Sequence, residues 1–252
     1  MARGFYWERR ALDKTPAGGV IGPDELTDVM QSAAYSVLDW VGISQDYAAL
    51  VNDGDHAGIQ ARYDDANPQT PGGDNSNAVY LATACTDAPW PNNWNKIRRD
   101  TWRVHARAPF TTWASTWGKA PCSFWPAKSA RPVKVSGRQV KSKILMVNET
   151  LDAAMPYSGA LEVRRRFPTA SLIEGVAGTT HAPLSGMACT DNAIGQYLTD
   201  GTVPARRKGN RSDLQCPPTP QPDPSQTATA RTSTNAHVWK ELGREPAPAR
   251  VR

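Results

Sequence analysis

An aspartate and a histidine in the second half of the sequence have the residue types of an acid and a base that work together. In a Ser/His/Asp site, a buried carboxylate accepts a hydrogen bond from one imidazole nitrogen, and the other nitrogen takes the serine proton. Asp152 and His181 have the types, the order and the spacing that these two roles need. The same residues also fit a helix cap and an ordinary loop histidine, and spacing alone leaves both interpretations open.

Two short strands and one helix are predicted to position these side chains. Ile144 to Val147 is an apolar run typical of a buried parallel strand, and Ala170 to Ile173 is a second one. Between them, Tyr157 to Phe167 has apolar residues at helical spacing and charged residues on the other side. Because the carboxyl ends of parallel strands meet at one edge of a sheet, we expect Asp152 and His181 in neighbouring loops at that edge.

A family resemblance adds to this interpretation. The sequence LMVNETLDAAMPYSGALEVRRRFPTASLIEGVAGTTH, which ends at His181, resembles the C-terminal region of secreted tripeptidyl aminopeptidase-like α/β-hydrolases from actinobacteria. The segments ATACTDAPWP, RRDTWRVHARAPFTTWASTW, APCSFWP and CTDNAIGQYLTDGTVP extend the resemblance over roughly Glu25 to Cys216. It implies Asp152 as the triad acid, His181 as the triad base, peptides cleaved from the N-terminal end as substrates, and no cofactor.

The sequence departs from the family pattern near Asp152 and next to His181. The family usually has a proline and a threonine where this chain has Ala153 and Met155, and a glycine immediately before the histidine where it has Thr180. A β-branched residue is strained wherever the backbone needs a positive φ. We therefore expect strain at Thr180.

The sequence contains no G-x-S-x-G motif, which carries the nucleophile of such hydrolases. Ser44 lies in GISQD, which lacks the final glycine and follows a helix-like stretch, so it is not predicted as the nucleophile. The expected fold is the C-terminal half of an α/β-hydrolase fold, with a helical lid portion and without the part that carries the serine. Two alternatives stay open: a catalytically incomplete remnant or binding module, and a carboxylesterase, because a triad does not distinguish esters from amides.

The sequence is expected to divide into three parts. These are residues 1–80, a helical lid or cap portion; 81–216, a Trp-rich segment with the C-terminal α/β-hydrolase unit; and 217–252, a disordered Pro/Thr/Ala-rich tail. In the first part, Glu25 to Leu50 has helical periodicity, and a second short helix ends near Gly54. In the tail, His237 and Trp239 are interpreted as incidental.

The four cysteines favour an oxidising compartment. Four cysteines allow three pairings, and the absence of C-x-x-C spacing argues against zinc and thioredoxin-type sites. The alternative is four free, buried thiols. The resemblance implies the pairs Cys85 with Cys122 and Cys189 with Cys216, and hence a secreted or extracytoplasmic protein. Residues 1–22 have no apolar segment typical of a signal peptide.

The net charge of +5 and the isoelectric point near 9.1 raise the question of an acidic partner. No nucleic-acid motif accompanies them, and much of the excess charge lies near the C terminus, so a solvated basic tail is the prediction. No apolar run is long enough for a membrane span. The expected partner is a peptide or ester substrate, and the sequence does not predict an oligomeric state.

Two further groups of residues have types that could bind ligands. Six of the nine tryptophans fall between Trp90 and Trp125 and are interpreted as core plus part of a cleft wall. Within that segment, His105 is interpreted as a packed helix residue. Asp53, Asp55 and His56 match no calcium or zinc spacing and are predicted to be solvated loop residues, so no metal site is expected.

Overall fold

Helices make up the first half of the chain, and a small parallel sheet lies in the second half. The computed structural model describes residues 2–182 and 186–225. The helices are α1 (Ala2–Lys14), α2 (Pro23–Ser32), α3 (Trp40–Asp53), α4 (Ala57–Ala66), α5 (Asn75–Asp87), α6 (Trp94–His105), α7 (Thr112–Lys119), α8 (Tyr157–Arg166) and α9 (Ala188–Asp200), with short 3₁₀ helices at Val37–Asp39 and Ala120–Phe124. The strands are β1 (Ile144–Glu149), β2 (Ala170–Gly175) and β3 (Leu214–Cys216).

The first four helices pack around an apolar core of their own. Its buried members are Phe5, Leu12, Ile21, Leu26, Val29, Leu50 and Ile59. Helices α1 and α4 are not among the elements predicted from the sequence. Gly54 ends α3 in a left-handed conformation, with φ of 70°, as its position predicts. The continuous helix predicted over Glu25 to Leu50 is wrong, because the chain leaves α2 at Ser32 and turns before α3.

Hydrogen bonds from two side chains hold this turn between α2 and α3. The indole Nε1 of Trp40 donates to the carbonyl oxygen of Ala33 at 2.7 Å, which satisfies a backbone acceptor at the end of α2. The Ser36 hydroxyl accepts from the backbone N–H of Leu38 at 3.2 Å and caps the following 3₁₀ helix. Tyr35 lies inside the turn, and half of its surface remains exposed.

The aromatic-rich helices α6 and α7 pack side by side. Trp94 lies against Trp117, and Trp102 meets Trp113 edge to face, each with 5.0 Å between ring centroids. None of the six tryptophans in the segment from Trp90 to Trp125 is buried, and Trp102 and Trp117 are more than half exposed. The interpretation of this segment as core is therefore wrong. The rings pack mainly against one another at the surface of the described chain.

Two disulfide bonds crosslink the chain, one among the helices before the sheet and one at the last strand. Cys85 of α5 pairs with Cys122, and Cys189 of α9 pairs with Cys216 of β3. These are the pairs that the family resemblance implies, so the prediction is confirmed. The crosslinked residues are 37 and 27 positions apart in the sequence, and disulfides that close loops of this size stabilise a fold by about 3 to 4 kcal/mol.

The three strands form a parallel sheet in the order β1-β2-β3. In the register of the first pair, Ile144 lies opposite Ala170 and Glu149 lies opposite Gly175. Both strands and the intervening helix are confirmed, but each strand continues two residues beyond its predicted end. Three of the four additional positions are buried polar residues, Asn148, Glu149 and Glu174, whose side chains have hydrogen-bond partners elsewhere in the chain. The sequence pattern does not predict β3, which has only three residues.

Residues near the end of the described chain return to the sheet. Thr219 hydrogen-bonds with Glu149 at the end of β1, so the predicted disorder does not describe this first part of the tail. His237 and Trp239 lie outside the described residues. Among the helices that the structure describes, none has the length and apolar character to cross a membrane.

Candidate active site

Asp152 is held beyond the end of β1 by a tight turn. Its backbone N–H donates to the carbonyl oxygen of Glu149 at 3.2 Å, and its side chain is 1% exposed. The Oδ1 atom accepts hydrogen bonds from the backbone N–H groups of Ala154 at 2.8 Å and Met155 at 2.9 Å. The N-cap residue of α8 is Pro156, so Asp152 does not cap that helix directly. Its carboxylate instead orders the acid loop, residues 150–156.

Asn148 is a further polar contact of the acid loop, and sequence reasoning missed it. Its side-chain Nδ2 donates to Asp152 Oδ2 at 3.2 Å and to the carbonyl oxygen of Met155 at 3.3 Å. Asn148 is buried, so these bonds satisfy donors that would otherwise be unpaired away from water. An asparagine at the end of an apolar strand is the sequence signal that could have indicated this role.

His181 forms a hydrogen bond with Asp152. Its Nδ1 lies 2.9 Å from Asp152 Oδ2, while one third of its side chain remains exposed. Because a carboxylate only accepts hydrogen bonds, a neutral imidazole in this position has its proton on Nδ1 and its lone pair on Nε2. Nε2 has no hydrogen-bond partner within the described ranges. The imidazole is therefore oriented by a buried acid and has its basic nitrogen available.

The histidine loop, residues 176–182, is strained on both sides of His181. Ala177 and Ala182 have left-handed backbone conformations, with φ of 61° and 51°. Thr180 does not have a positive φ, so the expectation of strain at that residue is wrong. Non-glycine residues with positive φ are uncommon and are found often at functional sites. The strain lies at two alanines that the sequence pattern does not single out.

Backbone hydrogen bonds tie the histidine loop to the acid loop. Thr150 donates its N–H to the carbonyl oxygen of Gly175 at 3.0 Å, and Leu151 donates to Gly178 at 2.9 Å. In the opposite direction, the N–H of Ala177 donates to the hydroxyl oxygen of Thr150 at 2.8 Å. The parallel register of β1 and β2 brings these loops together. The distance between the acid and the imidazole is thus set by the sheet edge as well as by their own hydrogen bond.

Tyr35 brings the helical part of the chain into the site. Its carbonyl oxygen accepts the backbone N–H of His181 at 2.7 Å, and its ring meets the imidazole edge to face at 5.6 Å. The turn between α2 and α3 therefore contacts the histidine directly. A single tyrosine in a turn gives no sequence signal for such a contact, because the two residues lie far apart in the chain.

The other candidate residues lie elsewhere. Ser44 is exposed within α3, where a nucleophile turn between strand and helix does not occur. Asp55 Oδ1 accepts the N–H of Ala57 at 2.9 Å, at the start of α4. His105 packs edge to face against Trp102 at 5.3 Å, which agrees with its interpretation as a packed residue. Within the described ranges, the hydrogen-bond and ring partners of Asp152 and His181 include none of these residues.

The comparisons with known proteins match the part of the chain that contains both loops. A model of the TAP-like protein family, a group of α/β-hydrolases, matches residues 108–216, which contain the acid loop, the histidine loop and the whole sheet. Residues 108–216 belong to the TAP-like family. This TAP-like domain, with its parallel sheet and flanking helices, is part of an α/β-hydrolase fold, as the resemblance implies.

Individual relatives extend the match towards the N terminus. Tripeptidyl aminopeptidase of Streptomyces lividans is 36% identical over 221 residues, which is 86% of this chain and 40% of that protein. Carboxylesterase B of Mycobacterium tuberculosis is 28% identical over 193 residues, or 74% of this chain and 36% of that protein. Serine protease Hip1 of the same species is 29% identical over 135 residues, 52% of this chain and 25% of that protein. The chain thus spans two fifths or less of the length of these relatives.

Proposed function

We propose that this chain supplies the acid and the base of a serine hydrolase that cleaves peptides from their N-terminal end. The observation that carries the proposal is the 2.9 Å hydrogen bond between His181 Nδ1 and Asp152 Oδ2 at the carboxyl end of a parallel sheet. The family of the TAP-like domain supports it. The nucleophilic serine and the oxyanion hole would come from a part of the enzyme that the printed sequence does not contain.

The proposed chemistry is acyl transfer to water in two steps. His181 Nε2 takes the proton of the serine hydroxyl as its oxygen attacks the substrate carbonyl carbon, and then gives that proton to the leaving amine. Water repeats the sequence in the second step, with His181 again accepting and returning a proton. Asp152 keeps Nδ1 protonated and stabilises the imidazolium that forms. It remains a carboxylate throughout.

The substrate class rests on the two streptomycete relatives named tripeptidyl aminopeptidase, which are both 36% identical to this chain. The helical part of the chain is proposed to form a portion of the lid, because Tyr35 contacts His181 through both its backbone and its ring. The two disulfide bonds support folding in an oxidising, extracytoplasmic compartment. The proposed reaction needs no cofactor.

An ester substrate is the second candidate. Its support is the 28% identity to carboxylesterase B over 74% of this chain. The same acid and base would serve either bond, because both reactions pass through a tetrahedral intermediate on the same acyl carbon. The leaving group differs, being an alcohol instead of an amine.

The test supplies the missing nucleophile. The whole chain replaces the segment that it matches in the Streptomyces lividans relative, and the chimera is assayed with a tripeptide anilide, its N-acetylated form and a short acyl ester. We expect turnover of the anilide with a free amino group, and loss of turnover in Asp152→Asn by about 10⁴-fold in kcat. Preference for the ester would favour the carboxylesterase. A folded chimera without turnover of any substrate would support a remnant or binding module instead.

A fluorophosphonate probe tests where the nucleophile lies. The isolated chain should not be labelled, because it has no serine in a G-x-S-x-G turn. The chimera should be labelled at the serine of the streptomycete part. Labelling of the isolated chain would locate a reactive serine inside these residues and would contradict the proposed division of roles.

A further inference from the structure

A second buried carboxylate lies beside the Asp152–His181 pair and has no part in the proton transfers. The side chain of Glu149 is fully buried, and its partners are N–H and O–H donors. Its Oε2 accepts from the backbone N–H of Thr180, and its Oε1 accepts from the N–H and the hydroxyl of Thr219 at 2.6 and 2.9 Å. Burying a carboxylate is unfavourable unless such bonds satisfy it. The position of this group therefore depends on the segments that supply the donors.

Glu149 contacts both loops that carry the pair. It is the last residue of β1, and its carbonyl oxygen accepts the backbone N–H of Asp152. Its carboxylate accepts the N–H of Thr180, which directly precedes His181. The main chain of one residue thus holds the acid loop while its side chain holds the histidine loop. Displacing the side chain would move His181 relative to Asp152.

The backbone at Gly175 and Gly178 lies close to the Glu149 side chain. A Cβ atom on Gly178 would lie 2.3 Å from Glu149 Cδ, and one on Gly175 would lie 2.8 Å from Glu149 Cγ. Both distances are too short for any side chain, so two glycines let the loop backbone approach the acid closely. The glycines of the sequence GVAGTTH are therefore explained by Glu149.

The segment after β3 completes the enclosure. Pro218 lies against Gly178 near the carboxylate, and Thr219 supplies two of the three hydrogen bonds. Cys216, three residues earlier, is tied to α9 by its disulfide bond and accepts the N–H of Val176 at 3.1 Å. The histidine loop is thus fixed from the side of the last strand as well as from β1.

We propose that Glu149 is a positioning residue for His181. It holds the histidine loop so that Nδ1 stays within hydrogen-bond distance of Asp152, and it links that loop to the segment that follows the second disulfide bond. This inference rests on the proposed function, because it concerns the same pair. It adds a carboxylate that touches no reacting atom but fixes the geometry of the base.

Glu149→Gln tests the role with little change in size. The glutamine amide has one accepting oxygen and one NH2 group. The NH2 group would face the N–H of either Thr180 or Thr219, and two donors cannot form a hydrogen bond with each other. The readout is the low-field proton resonance of the imidazole Nδ1–H of His181, assigned by its absence in His181→Ala. We expect the resonance in the unmodified chain. In Glu149→Gln we expect it to be lost, because the released loop lets the proton exchange with water.

Glu174→Gln is the matched control. Glu174 is also a buried acid near the carboxyl end of its strand, opposite Asn148 in the register. It accepts hydrogen bonds from the Tyr157 hydroxyl and from Gln215 Nε2, and neither of these donors belongs to the histidine loop. This variant should lose stability as Glu149→Gln does, as followed by thermal unfolding, but it should keep the low-field resonance.

The outcomes separate the inference from the function on which it rests. An unmodified chain without the resonance would overturn the Asp152–His181 pair and the positioning role together. A resonance that persists in folded Glu149→Gln, or that disappears equally in Glu174→Gln, would overturn the positioning role alone. If Glu149→Gln does not fold, Thr219→Val tests the positioning role instead. It removes the Thr219 hydroxyl, which is one of the three hydrogen-bond donors to the Glu149 carboxylate. The resonance should then broaden, and an unchanged line would contradict the proposal.

Discussion

Two buried aspartates of the sheet region differ in what they bind. The side chain of Asp152 is 1% exposed and that of Asp213, just before β3, is fully buried. Asp213 is held by the guanidinium of Arg164, whose Nε and Nη2 donate to its two oxygens at 2.7 and 2.5 Å. Asp152 is held by backbone N–H groups, an amide and the imidazole of His181. Asp213 therefore pairs with a permanent cation, the guanidinium of Arg164. Asp152 pairs with an imidazole, a group that can gain and lose a proton.

The partners of Asp213 indicate that this aspartate stabilises the fold. Arg164 is also buried, and it donates to the carbonyl oxygens of Arg207 and Gly209, which fastens the segment before β3 to α8. Asp213 further accepts the N–H of Leu172 in β2. A fully paired, enclosed ion pair of this kind has no open position for a substrate. His181, by contrast, leaves one third of its side chain exposed.

The largest effect is expected from Asp213→Asn. The change leaves the buried guanidinium of Arg164 without its counter-charge, and breaking one side of a buried pair destabilises proteins by about 3–5 kcal/mol. Urea unfolding measures the loss. Glu162→Gln on the same helix is the control, because its partners Arg165 and Arg166 are exposed and should leave the free energy of unfolding unchanged within error. Equal losses in the two variants would contradict the structural role of the buried pair.

A smaller effect is expected from acid. Burial alone would raise the pKa of Asp213, but the hydrogen bonds from Arg164 and from the backbone N–H groups of Arg207 and Leu172 outweigh it and lower the pKa below 3.8. A lowered folded-state pKa adds stability that is present above pH 3.8 and is lost as the pH falls towards the folded value.

As the pH falls below 3.8, the free energy of unfolding should therefore decrease more steeply in the unmodified chain than in Asp213→Asn, because only the unmodified chain has this carboxylate to protonate. The ¹³C signal of the Asp213 carboxyl group should titrate in the same acidic range. Parallel acid dependence in the two proteins would show that this ion pair does not set the acid limit of the fold.

The candidate site could be predicted from sequence where the signal is local. Apolar runs define β1 and β2, helical spacing defines α8, and the strand order that follows puts Asp152 beside His181. The predicted strands end too early because Glu149 and Glu174 look unfavourable for burial, and donors that satisfy them, such as Thr219 and Gln215, lie far away in the sequence. Local patterns do not contain that information.

Long-range contacts account for the remaining differences. Arg164 and Asp213 are 49 residues apart, and in sequence both resemble surface charges. Tyr35 reaches His181 only because α2 ends early and the chain turns. Leu198 fits the apolar side of α9 by spacing but is 76% exposed, since its neighbours in the described chain do not cover it. Periodicity predicts which face an element could bury, and packing decides whether it does.

The smallest effect on stability is expected from His181→Ala. The variant removes one hydrogen bond from Asp152, which keeps those from Asn148, Ala154 and Met155. The net loss should be about 1 kcal/mol or less, because a typical intramolecular hydrogen bond contributes that much and the imidazole is partly exposed.

The same substitution should abolish hydrolysis by the chimera, while His105→Ala, at a histidine packed against Trp102, should preserve it. Thermal unfolding and anilide turnover, measured on the same preparations, check both parts. A fall in stability as large as that of Asp213→Asn would place His181 with the structural pair. The contrast between an enclosed ion pair and an exposed base would then no longer distinguish the two carboxylates.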